Sequence, residues 1–186
     1  MSAAGHIDPS NKKVALLIAV LAALLAFSET LGKSAQTEAL SRNIEAANLW
    51  SFFQAKTIRM TTVRTALEQA EVQLPGTSGE AKQVLAKRID DWRKTAARYD
   101  SEPDTGEGRK ELAQRAKMAE SKRDRSLAAY HQYETASAAL QIAIVLASAE
   151  VITGAGFLVW IAATLGVVGL AFTVIGYVAP TLIHLF

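Results

Sequence analysis

The chain has no cysteine, only three histidines and only four prolines in 186 residues. Without thiols there is no disulfide framework, no cysteine nucleophile and no thiolate metal site, and the redox compartment stays open. His6, His131 and His184 are far apart, and neither an HExxH nor a GxSxG pattern occurs, so the material for acid–base, nucleophilic or zinc catalysis is poor. No enzymatic activity, no cofactor and no metal are expected. Charge is missing too, but only in places. Residues 14–28 and 136–186 contain no Lys or Arg, and Glu150 is their one acidic residue. Such segregation implies two solvents, lipid for the ends of the chain and water for its middle.

The middle is charged but not one-signed. Residues 34–135 carry 17 Lys plus Arg against 15 Asp plus Glu. A nucleic-acid partner is therefore not expected, because displacing phosphate counterions needs a basic face.

Three apolar stretches have the length needed to cross roughly 30 Å of hydrocarbon. The first, residues 14–32, follows a tail of residues 1–13 that ends in Lys12 and Lys13. This layout also suits a secretory signal with Ala26-Phe27-Ser28 as its cleavage site, but the helical pattern continues through Gly32, so an uncleaved span is the reading. The second, residues 136–154, and the third, residues 157–178, are joined by Gly154-Ala155-Gly156 as a tight hairpin. Pro180 stands where it can end the last helix, in a C-terminal tail of residues 179–186.

Residues 33–135 are helical in pattern. Met60, Val63, Leu67, Ala70 and Leu74 repeat at three-and-four spacing, as do Leu85, Ile89, Trp92, Ala96 and Tyr99, which makes the seam of a coiled coil or helical hairpin. Turns at Leu74-Pro75-Gly76-Thr77-Ser78-Gly79 and at residues 101–106 divide the segment into helices at about 34–74, 80–99 and 108–135. The expected fold is an all-α membrane protein: three transmembrane helices with a long, coiled-coil-like extramembrane stalk between the first and second.

Three stretches carry a family likeness: Ser28-Glu29-Thr30-Leu31-Gly32-Lys33-Ser34-Ala35-Gln36-Thr37, the run from Asn48 to Arg59, and Glu107-Gly108-Arg109-Lys110-Glu111-Leu112. With them the chain resembles the bacterial domain of unknown function 4337 family over nearly its whole length. The resemblance implies a bacterial integral membrane protein and no assigned activity.

Several motifs invite sharper readings. Gly32-Lys33-Ser34 looks like the end of a phosphate-binding loop, but the glycine five residues before Gly32 is replaced by Phe27, and a helix rather than a strand precedes it. A helix end at the headgroups, with Glu29 and Lys33 forming an interfacial i, i+4 ion pair, is the simpler reading. Glu29 continues a stripe of small residues, Ala15, Ala19, Ala22 and Ala26, so the carboxylate is expected to face protein. Glu150 lies deep in the second span on the face of Ala136, Ala139, Ala143 and Ala147, where burying a charge is costly and an acid marks a functional position by default. Gln141, Thr153, Thr164 or a partner subunit could satisfy it. The third span carries Ala162, Gly166, Gly169, Thr173 and Gly176, a groove that serves equally for packing within one chain or between chains.

The stretch from Asp100 to Glu111 spaces oxygen ligands as a calcium loop does, but Thr105 stands where the sharp turn needs glycine. A solvated turn capping the third stalk helix, through Thr105 or Asp104, is preferred. The function expected is a non-enzymatic, homo-oligomeric scaffold or accessory subunit of the bacterial inner membrane, acting on the lipid bilayer, on itself and on an unidentified membrane protein partner. The two lysines before the first span favour a periplasmic stalk. The alternative is an oligomeric ion or proton channel or transporter using Glu29 and Glu150.

Overall fold

The computed structural model describes residues 9–182, and these are almost wholly helical. His6, His184 and most of the two tails lie outside the described residues. Helix α1 runs Pro9–Gln73, a short 3-10 turn follows at Leu74–Gly76, and α2 covers Gly79–Asp100. Helix α3 covers Arg109–Thr153 and α4 covers Phe157–Val178. The first apolar stretch and the first amphipathic segment are thus one helix, because nothing between Val14 and Gln73 breaks the backbone ladder. By length and composition, α1, α3 and α4 each contain a stretch able to cross a membrane.

The chain divides into two compact units, one made of residues up to Leu40 with those from Arg123, the other of Ser41–Lys122. In the first, the apolar parts of α1, α3 and α4 surround a core of Val14, Leu21, Leu140, Ala143, Ala147 and Ala162. The contact follows a large-into-small rule. On α4, Ala162, Gly166, Gly169, Thr173 and Gly176 are all buried. A methyl placed on Gly166 would lie 2.6 Å from Leu21 Cδ2, and one on Gly169 would lie 2.6 Å from Leu140 Cγ and 3.1 Å from the Ala136 carbonyl oxygen. The glycines are what let α1 and α3 seat their leucines there. Between α3 and α4 the backbone turns at Gly154, whose φ of 68° only glycine adopts freely and whose N–H donates to the Glu150 carbonyl at 2.8 Å.

The alanine stripe of α1 takes no part in this packing. Ala15, Ala19, Ala22 and Ala26 are exposed, and α1 turns Val14, Leu21 and Ser28 inward instead. Because α3 and α4 already supply small residues, α1 contributes the bulky partner, and its own alanine stripe is left outside.

The second unit is held by the faces at three-and-four spacing. Met60, Ala70, Ile89 and Ala96 are buried, and Val63, Leu67, Leu85, Trp92 and Tyr99 are half-buried. A cluster of Ala46, Leu49, Leu112, Ala116 and Ala119 joins α1 to α3, with Trp50 donating its indole N–H to Glu120 Oε1 at 2.9 Å.

Gly169→Ala is expected to destabilise the protein by about 1–3 kcal/mol, the usual cost of overpacking a tight contact. Gly76→Ala, with open space around the added methyl, should stay within about 0.5 kcal/mol. Unfolding of both variants in detergent micelles measures the difference.

Candidate functional site

The polar residues of the apolar unit gather at one level. An open groove of about 450 Å³ is lined from α1 by Ser28, Glu29, Gly32, Lys33 and Gln36, and from α3 by Tyr130, Tyr133, Glu134, Ser137, Ala138 and Gln141. Gly32 permits the approach of the two helices, since a methyl there would just touch Tyr133 Cβ at 3.4 Å. At the back of the groove Ser28 is fully buried and donates its hydroxyl to the Tyr133 carbonyl at 3.2 Å. Thr173 of α4 has one hydroxyl proton to place between the Gly169 carbonyl at 2.9 Å and Ser28 Oγ at 3.4 Å. These groups tie three helices together inside an apolar surround. Ser28 was missed as a site residue, although its spacing of seven from Leu21 and fourteen from Val14 marks it as the polar member of an inward stripe.

Glu29 does not pair with Lys33. Its Oε1 accepts a hydrogen bond from Gln141 Nε2 at 3.3 Å, and both residues are exposed to the groove. The helix carries the Glu29 carboxylate toward α3, so the amide takes the place expected for the ammonium, and Lys33 lines the same groove nearer its end. The carboxylate therefore faces an open, polar groove rather than the protein core.

Glu150 is elsewhere. It stands nine residues along α3 from Gln141, about 14 Å at the helical rise, so the two acids are separate sites. Its Oε2 is buried and has no hydrogen-bond partner among the described residues. None of the partners weighed within the chain reaches it: Gln141 goes to Glu29, Thr153 donates to the Ala149 carbonyl at 2.9 Å, and Thr164 donates to the Trp160 carbonyl at 2.9 Å.

In the second unit, the acidic turn is tied down by the chain's own cations. Lys56, 7% exposed, lies 3.9 Å from a Glu102 oxygen and 3.7 Å from a Glu107 oxygen, and sits over the rings of Phe52 and Tyr99. Arg109 donates to Thr57 Oγ1 at 3.0 Å and to Asp100 at 3.4 Å, and stacks over Phe53 at 5.2 Å. Lys110 holds Asp100 at 2.8 Å. Each of these carboxylates already has a positively charged neighbour, which is the opposite of what a calcium loop needs. The start of α3 is organised by Glu111 and Gly108, not by Thr105 or Asp104. Glu111 takes the Ser101 hydroxyl at 2.6 Å and the Glu102 N–H at 3.1 Å. A methyl on Gly108 would fall 2.4 Å from that same nitrogen, so the turn closes only around glycine.

These contacts set an acid limit. The Lys110 hydrogen bond holds the Asp100 carboxyl below its ordinary range, and the Ser101 hydroxyl does the same for Glu111, followed by the Glu102 N–H. A carboxyl depressed in the folded state adds stability that is present above its unfolded pKa and is lost as pH falls through the folded value. Unfolding of the second unit should hence be insensitive to these groups at pH 7 to 5 and weaken below about pH 4, and Asp100→Asn with Glu111→Gln should flatten that acid limb. Circular dichroism melts across pH measure it.

The comparisons with known proteins place the chain but not its activity. The family model described as Domain of unknown function (DUF4337) matches residues 10–179. No curated protein and no solved structure matches the chain. All three stretches that carry the likeness, Ser28–Thr37, Asn48–Arg59 and Glu107–Leu112, fall inside the matched region and build the groove, the α1 face and the Gly108 turn. The chain belongs to the DUF4337 family.

Proposed function

We propose that this is a non-enzymatic, multi-pass protein of a bacterial inner membrane that works as a homo-oligomeric scaffold or accessory subunit. In this reading α1, α3 and α4 cross the bilayer through their apolar parts, and residues 33–135 form a helical domain outside it. The exposed side of α4 supports the crossing. Phe157 and Trp160 at one end and Tyr177 at the other are exposed, roughly 26–30 Å apart along the helix, with exposed Val167, Leu170 and Val174 between them. Aromatic residues at two levels flanking an apolar band suit the two interfaces of a bilayer. Lys12 and Lys13 before the first crossing favour a cytoplasmic N-terminus and a periplasmic helical domain.

Self-association rests on one observation: the stripe of Ala15, Ala19, Ala22 and Ala26 is left uncovered by the chain's own packing. Small residues earn little by facing lipid, but they allow another helix to approach closely. A second copy is the partner always present in the same membrane at the same concentration. Partner proteins of other kinds would then meet the helical domain.

The unpartnered Glu150 Oε2 favours a second reading, an oligomeric channel or transporter in which Glu29 and Glu150 line a polar path. The particle mass in nanodiscs separates the proposals from their failure. A scaffold gives a defined oligomer, and a monomer that co-purifies with nothing contradicts it. Glu150→Gln should leave a scaffold assembled, whereas a channel would lose ion flux in proteoliposomes.

A further inference from the structure

The groove between α1 and α3 holds opposite charges that the chain itself leaves apart. Gly32 lies against Tyr133, so the residues that follow them, Lys33 on α1 and Glu134 on α3, stand at nearly one level on opposite walls. Both are exposed. Glu134 has the His131 ring nitrogen Nδ1 at 3.7 Å on its own helix, and the Lys33 ammonium has no ion pair among the described residues. Glu29, one turn further in than Lys33, is taken by Gln141. One wall therefore offers a cation and the other a carboxylate across an open space of about 450 Å³. One turn further out, Gln36 and Tyr130 add an amide and a phenolic hydroxyl that can donate to an oxyanion.

The inner end of the groove runs onto apolar surface. On α3 the face that carries Glu134, Ser137 and Gln141 continues at helical spacing with Val145 and Ile152, both apolar and exposed. On α1, Lys33 is the first basic residue after Lys13, with the whole first apolar stretch between them. The charged walls thus stand at the polar edge of an uncovered apolar strip, which is the level of lipid headgroups if these helices cross a bilayer.

We infer that the groove binds the headgroup of an amine-bearing phospholipid of the ethanolamine type, with its phosphate on Lys33, its ammonium on Glu134 and its acyl chains along Val145 and Ile152. Charge complementarity selects this occupant. A headgroup with a phosphate and no amine would satisfy Lys33 but face Glu29 and Glu134, two carboxylates of its own sign. An amine without a phosphate would leave the lysine unmet. A zwitterion gives each wall its opposite charge, and a primary ammonium brings three protons for carboxylate oxygens, which a quaternary choline lacks. The inference rests on the bilayer-crossing reading above and is independent of self-association.

Native mass spectrometry of the full-length protein in detergent, titrated with phosphatidylethanolamine, phosphatidylglycerol or phosphatidylcholine of matched acyl chains, tests the site. Each chain should retain one phosphatidylethanolamine, with the other two lipids bound about tenfold more weakly, the usual effect of a hydrogen bond to a charged group. Lys33→Gln should weaken phosphatidylethanolamine by a similar factor, and Glu134→Lys should turn the preference toward phosphatidylglycerol, because two cations then meet one phosphate. Both positions are exposed, so an unchanged melting point shows that the fold survives. Equal retention of the three lipids, or retention that neither substitution moves, overturns the site. Water-soluble phosphoethanolamine should compete poorly; displacement of the lipid at equal concentration overturns the acyl-chain contact and makes the ligand a soluble zwitterion. Protein released from membranes by alkaline carbonate overturns the crossing reading itself, whereas embedded protein without a lipid preference overturns the site alone.

Discussion

Helices in hydrocarbon gain little from hiding apolar surface from one another, because lipid is as good an apolar solvent as leucine. Their cohesion depends on how closely they approach and on satisfying every polar atom internally. In the apolar unit close approach is achieved at α4, and the hydroxyls that enter the core there are hydrogen-bonded. Gly166 receives Leu21, Gly169 receives Leu140, and Gly176 lies against Tyr133 and Gln132. At the level of Ser28 and Thr173, where side-chain hydroxyls enter the core, they are tied to the Tyr133 and Gly169 carbonyls across and along the helices. Larger residues on α4 would push the three helices apart and strand those hydroxyls.

This division of labour explains what is left outside. With α3 and α4 supplying small residues, α1 turns its large ones inward and its alanines outward. The same helix repeats the arrangement in the second unit, where Leu49, Met60 and Ala70 are buried and Ile44, Ile58 and Val72 are exposed. There apolar burial is supplemented by cations held over rings. Lys56 is costly to desolvate alone, but Glu102, Glu107, Phe52 and Tyr99 surround it. The acidic turn after α2 is therefore a clasp closed by its own chain.

Helical character and the turns were legible in the sequence because both depend on local signals: periodicity at 3.6, Pro75 with Gly76, and Gly154 with Gly156. The α4 face was legible as a stripe, although a stripe cannot say whether its partner is the same chain or another. The alanine face of α1 was open in the same way, since small residues license contact from any side, and within the chain the choice fell to Leu21. Pairings distant in sequence were not legible. Glu29 chose Gln141 over Lys33 across 112 positions, and Lys56 found two glutamates of a turn that read as a possible calcium loop.

The central proposal is that α1, one continuous helix, passes from lipid into water at Lys33. Because the chain has no cysteine, single nitroxide labels placed along α1 report it directly through their relative accessibility to oxygen and to a water-soluble nickel chelate. The account predicts oxygen-rich, chelate-poor labels at Leu16, Ala19, Ala23 and Ala26, a crossover between Glu29 and Gln36, and chelate-accessible labels at Glu45 and Arg59. Labels that meet the chelate equally from Leu16 to Arg59 would contradict it.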